Sequence, residues 1–181
     1  VTSLELPDVK LVRFLRHEDT RGHFVETYSA PAFQKAGLPT EWAQDNEAFS
    51  SAAGTVRGLH FQAPPQAQAK LVRVVSGRIL DVAVDVRRGS PTFGRHIAIA
   101  LSADRSEALF IPEGFAHGYC TLSLDALVAY KVSRPYAPDA ERSLLWCDPA
   151  LAIAWPVAAE KAVVSAKDAA ALPLAALNSG F

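Results

Sequence analysis

The strongest constraint on this chain is an alternation of side chains in its middle third. Ile79, Asp81, Ala83 and Asp85 interleave with Leu80, Val82, Val84 and Val86, and Ile97, Ile99 and Leu101 interleave with Ala98 and Ala100. A period of two with β-branched residues predicts half-buried strands, because successive side chains of a strand point to opposite faces. Turn signals interrupt the pattern at short intervals: Ser76-Gly77, Arg88-Gly89-Ser90-Pro91, Ser102-Ala103-Asp104 and Pro112-Glu113-Gly114. Short strands spaced this way predict a mainly β chain, a sandwich or barrel rather than alternating β-α units.

Helical signals are few and lie at the ends. Ser29 is placed to cap a short helix through Phe33 to Ala36, stopped by Gly37. Ser165-Ala166-Lys167-Asp168 has the form of a capping box, followed by an Ala-rich stretch that Pro173 interrupts. With 181 residues and no linker or internal repeat, residues 1–181 are expected to form one domain.

Charge and cysteine content exclude several classes. Eighteen basic against 19 acidic residues give a net charge of −1, with no global cationic field for nucleic acid. Cys120 and Cys147 are the only cysteines, too few for a disulfide framework or a Cys-rich zinc site. Residues 1–8 lack the basic and apolar regions of a signal peptide, and no apolar run approaches the ~20 residues of a membrane span. A cytoplasmic protein is expected.

Two segments carry candidate chemistry. In Arg57-Gly58-Leu59-His60-Phe61-Gln62, strict alternation places Gly58, His60 and Gln62 on one face and Arg57 on the other. The glycine leaves room for something to approach the histidine, although a hydrogen-bonded strand histidine would have the same local sequence. The second segment, Pro112-Glu113-Gly114-Phe115-Ala116-His117, resembles a motif of the cupin superfamily, small β-barrels on a jelly-roll plan. Metal-binding cupins pair it with His-x-His and a downstream Glu; here His60-Phe61-Gln62 stands in the partner position. His60 and His117 fall short of the three or four ligands of a divalent site, so no metal is expected.

The motifs as an ordered set resemble one family. They comprise Asp19-Thr20-Arg21-Gly22-His23-Phe24-Val25-Glu26, Gln44-Asp45-Asn46, Gly54 to Gln62, Lys70-Leu71-Val72, Asp81 to Arg87, Ser90 to Gly94, Tyr130-Lys131, Trp146 to Pro149 and Ser165 to Asp168. Together, over roughly Leu11 to Leu172, they are similar to the dTDP-4-dehydrorhamnose 3,5-epimerase family. The resemblance implies a cupin-type jelly roll with a few short helices, chiefly near the C-terminus. It implies epimerisation of a dTDP-linked 4-keto-6-deoxyhexose at carbons 3 and 5 through an enolate, without metal or redox cofactor. A mono-epimerase of a related sugar nucleotide is the alternative on the same fold; a metal-dependent cupin enzyme or a catalytically inactive sugar-binding cupin are alternatives of other classes.

On this resemblance His60 is the general base, Asp168 its carboxylate partner, Tyr130 the general acid and Lys70 the cation beside the enolate oxygen. Read alone, Asp168 fits the helix cap better and Lys70 fits an exposed strand lysine. Arg21 and Arg57 match diphosphate-binding positions; Phe24, Glu26, Gln44 and Asn46 match the nucleotide and phosphate region. Tyr136 matches an aromatic that stacks on the base, and His117 a second histidine near sugar and phosphates. Glu47-Ala48 departs from the more usual His-Ser after the Asn. Arg57 and His60 can serve one site only if Arg57 lies at a bulge or reaches a neighbouring subunit. A homodimer sharing site residues is implied, with a cationic pocket built from Arg21, Arg57 and Lys70 in an otherwise neutral surface.

Overall fold

The computed structural model describes residues 1–181. Thirteen strands follow in chain order: β1 (Thr2–Ser3), β2 (Lys10–Arg13), β3 (Arg16–Asp19), β4 (Gly22–Val25), β5 (Gln44–Ser50), β6 (Val56–Gln62), β7 (Lys70–Ser76), β8 (Arg78–Asp85), β9 (His96–Ser102), β10 (Glu107–Ile111), β11 (Phe115–Thr121), β12 (Ala126–Val132) and β13 (Glu141–Ser143). Two antiparallel sheets result, in the orders β1-β2-β10-β7-β12-β5 and β13-β6-β11-β8-β9, while β3 and β4 form a separate hairpin. The mainly β expectation therefore holds, and the architecture is that of a cupin.

The two sheets face each other across a core of Leu11, Val72, Val74, Leu109, Ile111 and Val128 from one, and Ile79, Ala83, Ile97, Leu101 and Phe115 from the other. Burying each Val, Leu, Ile or Phe of this set contributes roughly 1.5–3 kcal/mol. β9 is half-buried as expected, with Ile97 and Leu101 inward and Ala98 and Ala100 outward. β8 is not. Its outward residues Val82 and Val84 are 0% exposed, because Leu144, Trp146, Leu151 and Leu177 from the C-terminal segment pack over them. Alternation gave the strand but not the second layer that covers it.

The helices are short. α1 (Ala30–Lys35) begins at Ser29 and carries Pro31 in its first turn, where a missing N–H costs nothing. Contrary to expectation, the Ser29 side chain makes no cap hydrogen bond. α2 (Ala166–Ala169) is one turn long and ends well before Pro173. The remaining helical pieces are single 3-10 turns, three of them within residues 149–176.

Candidate active site

The site begins with an irregularity between β6 and β11. His60 pairs with His117, and Arg57 pairs with Tyr119. Three residues of advance on β6 thus match two on β11, which is a β-bulge. The extra residue is Gly58, at φ +121; a Cβ there would lie 2.5 Å from the Gly118 Cα and 2.8 Å from the His117 carbonyl oxygen. Only glycine allows so close an approach. The bulge reverses the predicted phase. Leu59 packs outward in the C-terminal layer, while Arg57 and His60 both line a cavity of about 520 Å³ that Val56 also borders. Arg57 therefore shares a face with His60 within one chain, and Gly58 is the residue that drops out of the alternation.

His60 and Asp168 meet in this cavity across 108 positions of sequence, with Nε2 2.5 Å from Oδ1. The Gly58 N–H donates to the other carboxylate oxygen at 3.2 Å. The Ser165 hydroxyl accepts from the Asp168 N–H at 3.1 Å, so the cap and the pairing coexist: Ser165 caps the backbone while the carboxylate leaves the helix for His60. Burial alone would raise the Asp168 carboxyl; the His60 hydrogen bond and charge, with the Gly58 N–H, hold it below its usual range. A carboxylate on Nε2 favours the tautomer protonated there and leaves Nδ1 bare.

Lys70 is 8% exposed and donates to the His60 carbonyl oxygen at 3.1 Å. Burial pushes its ammonium down to about 8, with the charges of Asp81 and Glu141 limiting the drop. His117 is buried and bonds Asp81 through Nε2 at 2.6 Å. Burial holds its imidazole below the usual value against that carboxylate. Tyr130 lines the same cavity from β12; burial raises its phenol, with Arg57 opposing and Glu141 adding. His60 and His117 thus engage separate carboxylates, and no three acidic, imidazole or thiol side chains are grouped so as to hold a metal ion.

A second depression, of about 320 Å³, shares His60, Lys70 and Tyr130 with the first and adds Gln44, Asn46 and Tyr136. Gln44 donates to Asn46 Oδ1 at 2.6 Å. The Tyr136 hydroxyl donates to Glu141 Oε2 at 2.8 Å, and Lys167 pairs with the same oxygen at 2.5 Å. The two depressions form one trough running past His60.

Three candidate residues lie elsewhere. Arg21 is on the β3–β4 hairpin, 88% exposed and paired with Asp19. Phe24 is 68% exposed, and it and Glu26 border a different depression against α1. Within one chain the cationic wall is therefore Arg57, Lys70 and Lys167 rather than Arg21, Arg57 and Lys70. Lys167, Glu141 and Tyr119 were not singled out in sequence. Lys167 was within reach, since it sits beside Asp168 in the same motif. Tyr119 follows His117 by two residues on one strand; its hydroxyl is buried without a partner, and burial pushes it up to about 12.

Comparison with known proteins identifies the family. The sequence model of the family described as dTDP-4-dehydrorhamnose 3,5-epimerase matches residues 3–176. A dTDP-4-dehydrorhamnose 3,5-epimerase of Sinorhizobium fredii is 45% identical over 179 residues, covering 99% of this chain and 91% of that protein. An epimerase of Legionella pneumophila, solved in complex with dTDP-4-keto-L-rhamnose, superposes with a TM-score of 0.93 at 40% identity, covering 98% of this chain and 93% of that one. A 3'-monoepimerase of Streptomyces bikiniensis in complex with dTDP-quinovose superposes with a TM-score of 0.90 at 36% identity, covering 97% and 88%. The chain belongs to the dTDP-4-dehydrorhamnose 3,5-epimerase family.

Proposed function

We propose that this protein epimerises a dTDP-linked 4-keto-6-deoxyhexose at carbons 3 and 5, both next to the ketone. The observation that carries the reading is the 2.5 Å His60–Asp168 pair in a cavity that Tyr130 also lines. His60 Nδ1 takes a proton from the carbon, and the C–H electron pair moves into a C=C bond as the ketone becomes an enolate. Asp168 stabilises the imidazolium. The Lys70 ammonium faces the developing negative oxygen, where a desolvated cation is most effective. Tyr130 returns a proton to the opposite face of the carbon, the enolate collapses to the ketone, and solvent restores both residues. The cycle repeats at the second carbon.

Arg57, Gln44, Asn46, His117 and Tyr136 bind the diphosphate, nucleotide and sugar in this reading. Arg21, Phe24 and Glu26 belong to it through a homodimer, in which the exposed hairpin reaches the trough of the partner subunit. Residues 1–181 act as one cytoplasmic domain, in which no helix is long and apolar enough to cross a membrane. A second reading, inversion at one carbon only, is supported by the likeness to the Streptomyces monoepimerase. Incubation with dTDP-4-keto-6-deoxyglucose in deuterated water separates the two by mass spectrometry and NMR. Deuterium at carbons 3 and 5 is expected, deuterium at one carbon favours the second reading, and none at either refutes both.

A further inference from the structure

Gln62 stands where a metal-binding cupin has its second histidine, and the proposed chemistry leaves it without a task. It is 2% exposed and lies two residues beyond His60 on β6. Its Oε1 accepts from the Ala137 N–H at 2.8 Å, and its Nε2 donates to the carbonyl oxygens of Gln66 at 2.6 Å and Pro135 at 3.3 Å. A primary amide offers two donors and an acceptor, and all are engaged here. A histidine has one N–H and one lone pair in its neutral form, so it would leave one of these three backbone groups without its partner.

Two of the three bonds hold the segment Arg134–Ala137, which follows β12. Arg134, Pro135 and Tyr136 make no backbone–backbone hydrogen bond. Glutamines take over that function. Gln44 Oε1 accepts from the Tyr136 N–H at 3.0 Å, and Gln68 Nε2 donates to the carbonyl oxygens of Arg134 at 2.7 Å and Pro135 at 3.3 Å. Three glutamines from separate parts of the chain thus converge on four loop residues, and the Tyr136 hydroxyl is fixed at the far end by Glu141.

We propose that Gln62 is a positioning residue for nucleotide binding: it clamps the Arg134–Ala137 loop so that Tyr136 is held, before any ligand arrives, over the trough that opens on His60. The inference rests on the sugar-nucleotide reading of that trough. A loop already fixed in its binding conformation loses less entropy on association, so the clamp acts on affinity. It does not touch the reacting carbons, so it leaves the chemical step alone. Placing the clamp on the same strand as the base also fixes the distance between them, two residues or about 7 Å.

The test is Gln62→Leu, with kcat and KM for the 4-keto sugar nucleotide, calorimetric affinity for TDP, and amide exchange at Ala137. The expected result is KM raised and TDP affinity lowered by about tenfold, kcat within twofold, and faster exchange confined to the loop. Gln68→Leu removes a donor from the rim and is expected to shift the same two quantities about threefold; it decides the question if Gln62→Leu does not fold. Folded Gln62→Leu with KM and TDP affinity within twofold of wild type overturns the inference, as does a loss in kcat at unchanged KM. Wild-type protein that binds TDP yet leaves the 4-keto sugar unchanged refutes the epimerase reading alone, because the TDP ratio still judges the clamp.

Discussion

The floor of the trough and the β3–β4 hairpin are built on opposite plans. On the floor, His60, Lys70, His117 and Asp81 sit on strands of two facing sheets, and each has a hydrogen-bond partner at 2.5–3.1 Å. The hairpin projects Arg21 and Phe24 into solvent, with Arg21 held only by its neighbour Asp19. The same motif set contains both regions, yet one chain brings only the first to the cavity. The contrast suggests a division of labour. Groups that move protons need a fixed, desolvated frame, which a sheet interior supplies. Groups that hold a charged nucleotide can arrive from outside, even from another subunit.

The sharpest way to break this contrast is His60→Ala. Turnover is expected to fall about 10³-fold or more while the circular dichroism spectrum is retained, since general base catalysis commonly contributes 10²–10⁴-fold; activity near wild type would remove His60 from the chemistry. Gly58→Ala attacks the frame instead. Its Cβ would meet the Gly118 backbone at 2.5 Å, so a stability loss on the order of 3 kcal/mol is expected in urea unfolding. An unchanged midpoint would show that the bulge relaxes freely. Arg21→Ala tests the hairpin: about a tenfold rise in KM, little change in kcat and a weaker dependence of KM on salt are expected. Insensitivity of KM to both salt and the substitution would leave the hairpin outside the site, and light scattering at a monomer mass would do so independently.

The smallest effect expected is on pH. Burial lowers the Lys70 ammonium to about 8, so the enolate stabilisation proposed for it is expected to be present at pH 7 and to fade as pH rises through about 8. The rate should therefore be about half-maximal at that point. Lys70→Arg should displace this limb upward, because a guanidinium keeps its charge; a limb that stays put assigns it to another group.

How much of this was legible depended on whether local pattern and tertiary contact agreed. β9 and the turn around Ser102 to Asp104 follow rules that act within a few residues, and both are where the alternation puts them. The phase of β6 was not readable, because alternation assumes a constant period and one glycine breaks it. Asp168 illustrates a different limit. Its N–H obeys the local rule and its carboxylate obeys a contact 108 residues away, so neither description excluded the other. Tyr119 carries only the weak signal of standing two residues after His117, and Glu141 carries none; a strand tyrosine and a glutamate come to line the trough only when the sheets close. The outer burial of β8 escaped for the same reason, since nothing in its own sequence announces the segment that covers it.

That covering segment has a consequence for how the protein fails. Asp168 is not part of either sheet; its carboxylate is held against β6 by His60 and the Gly58 N–H, and its segment by single bridges such as Thr55 to Val163 and by the apolar layer over β6 and β8. Elements tied by few backbone bonds open at lower free energy than ladders do. On warming, the outer wrap should lift first and take the carboxylate with it, while both sheets remain paired. Loss of turnover should therefore precede loss of β ellipticity, making catalysis a thermometer for the C-terminal wrap rather than for the barrel beneath it.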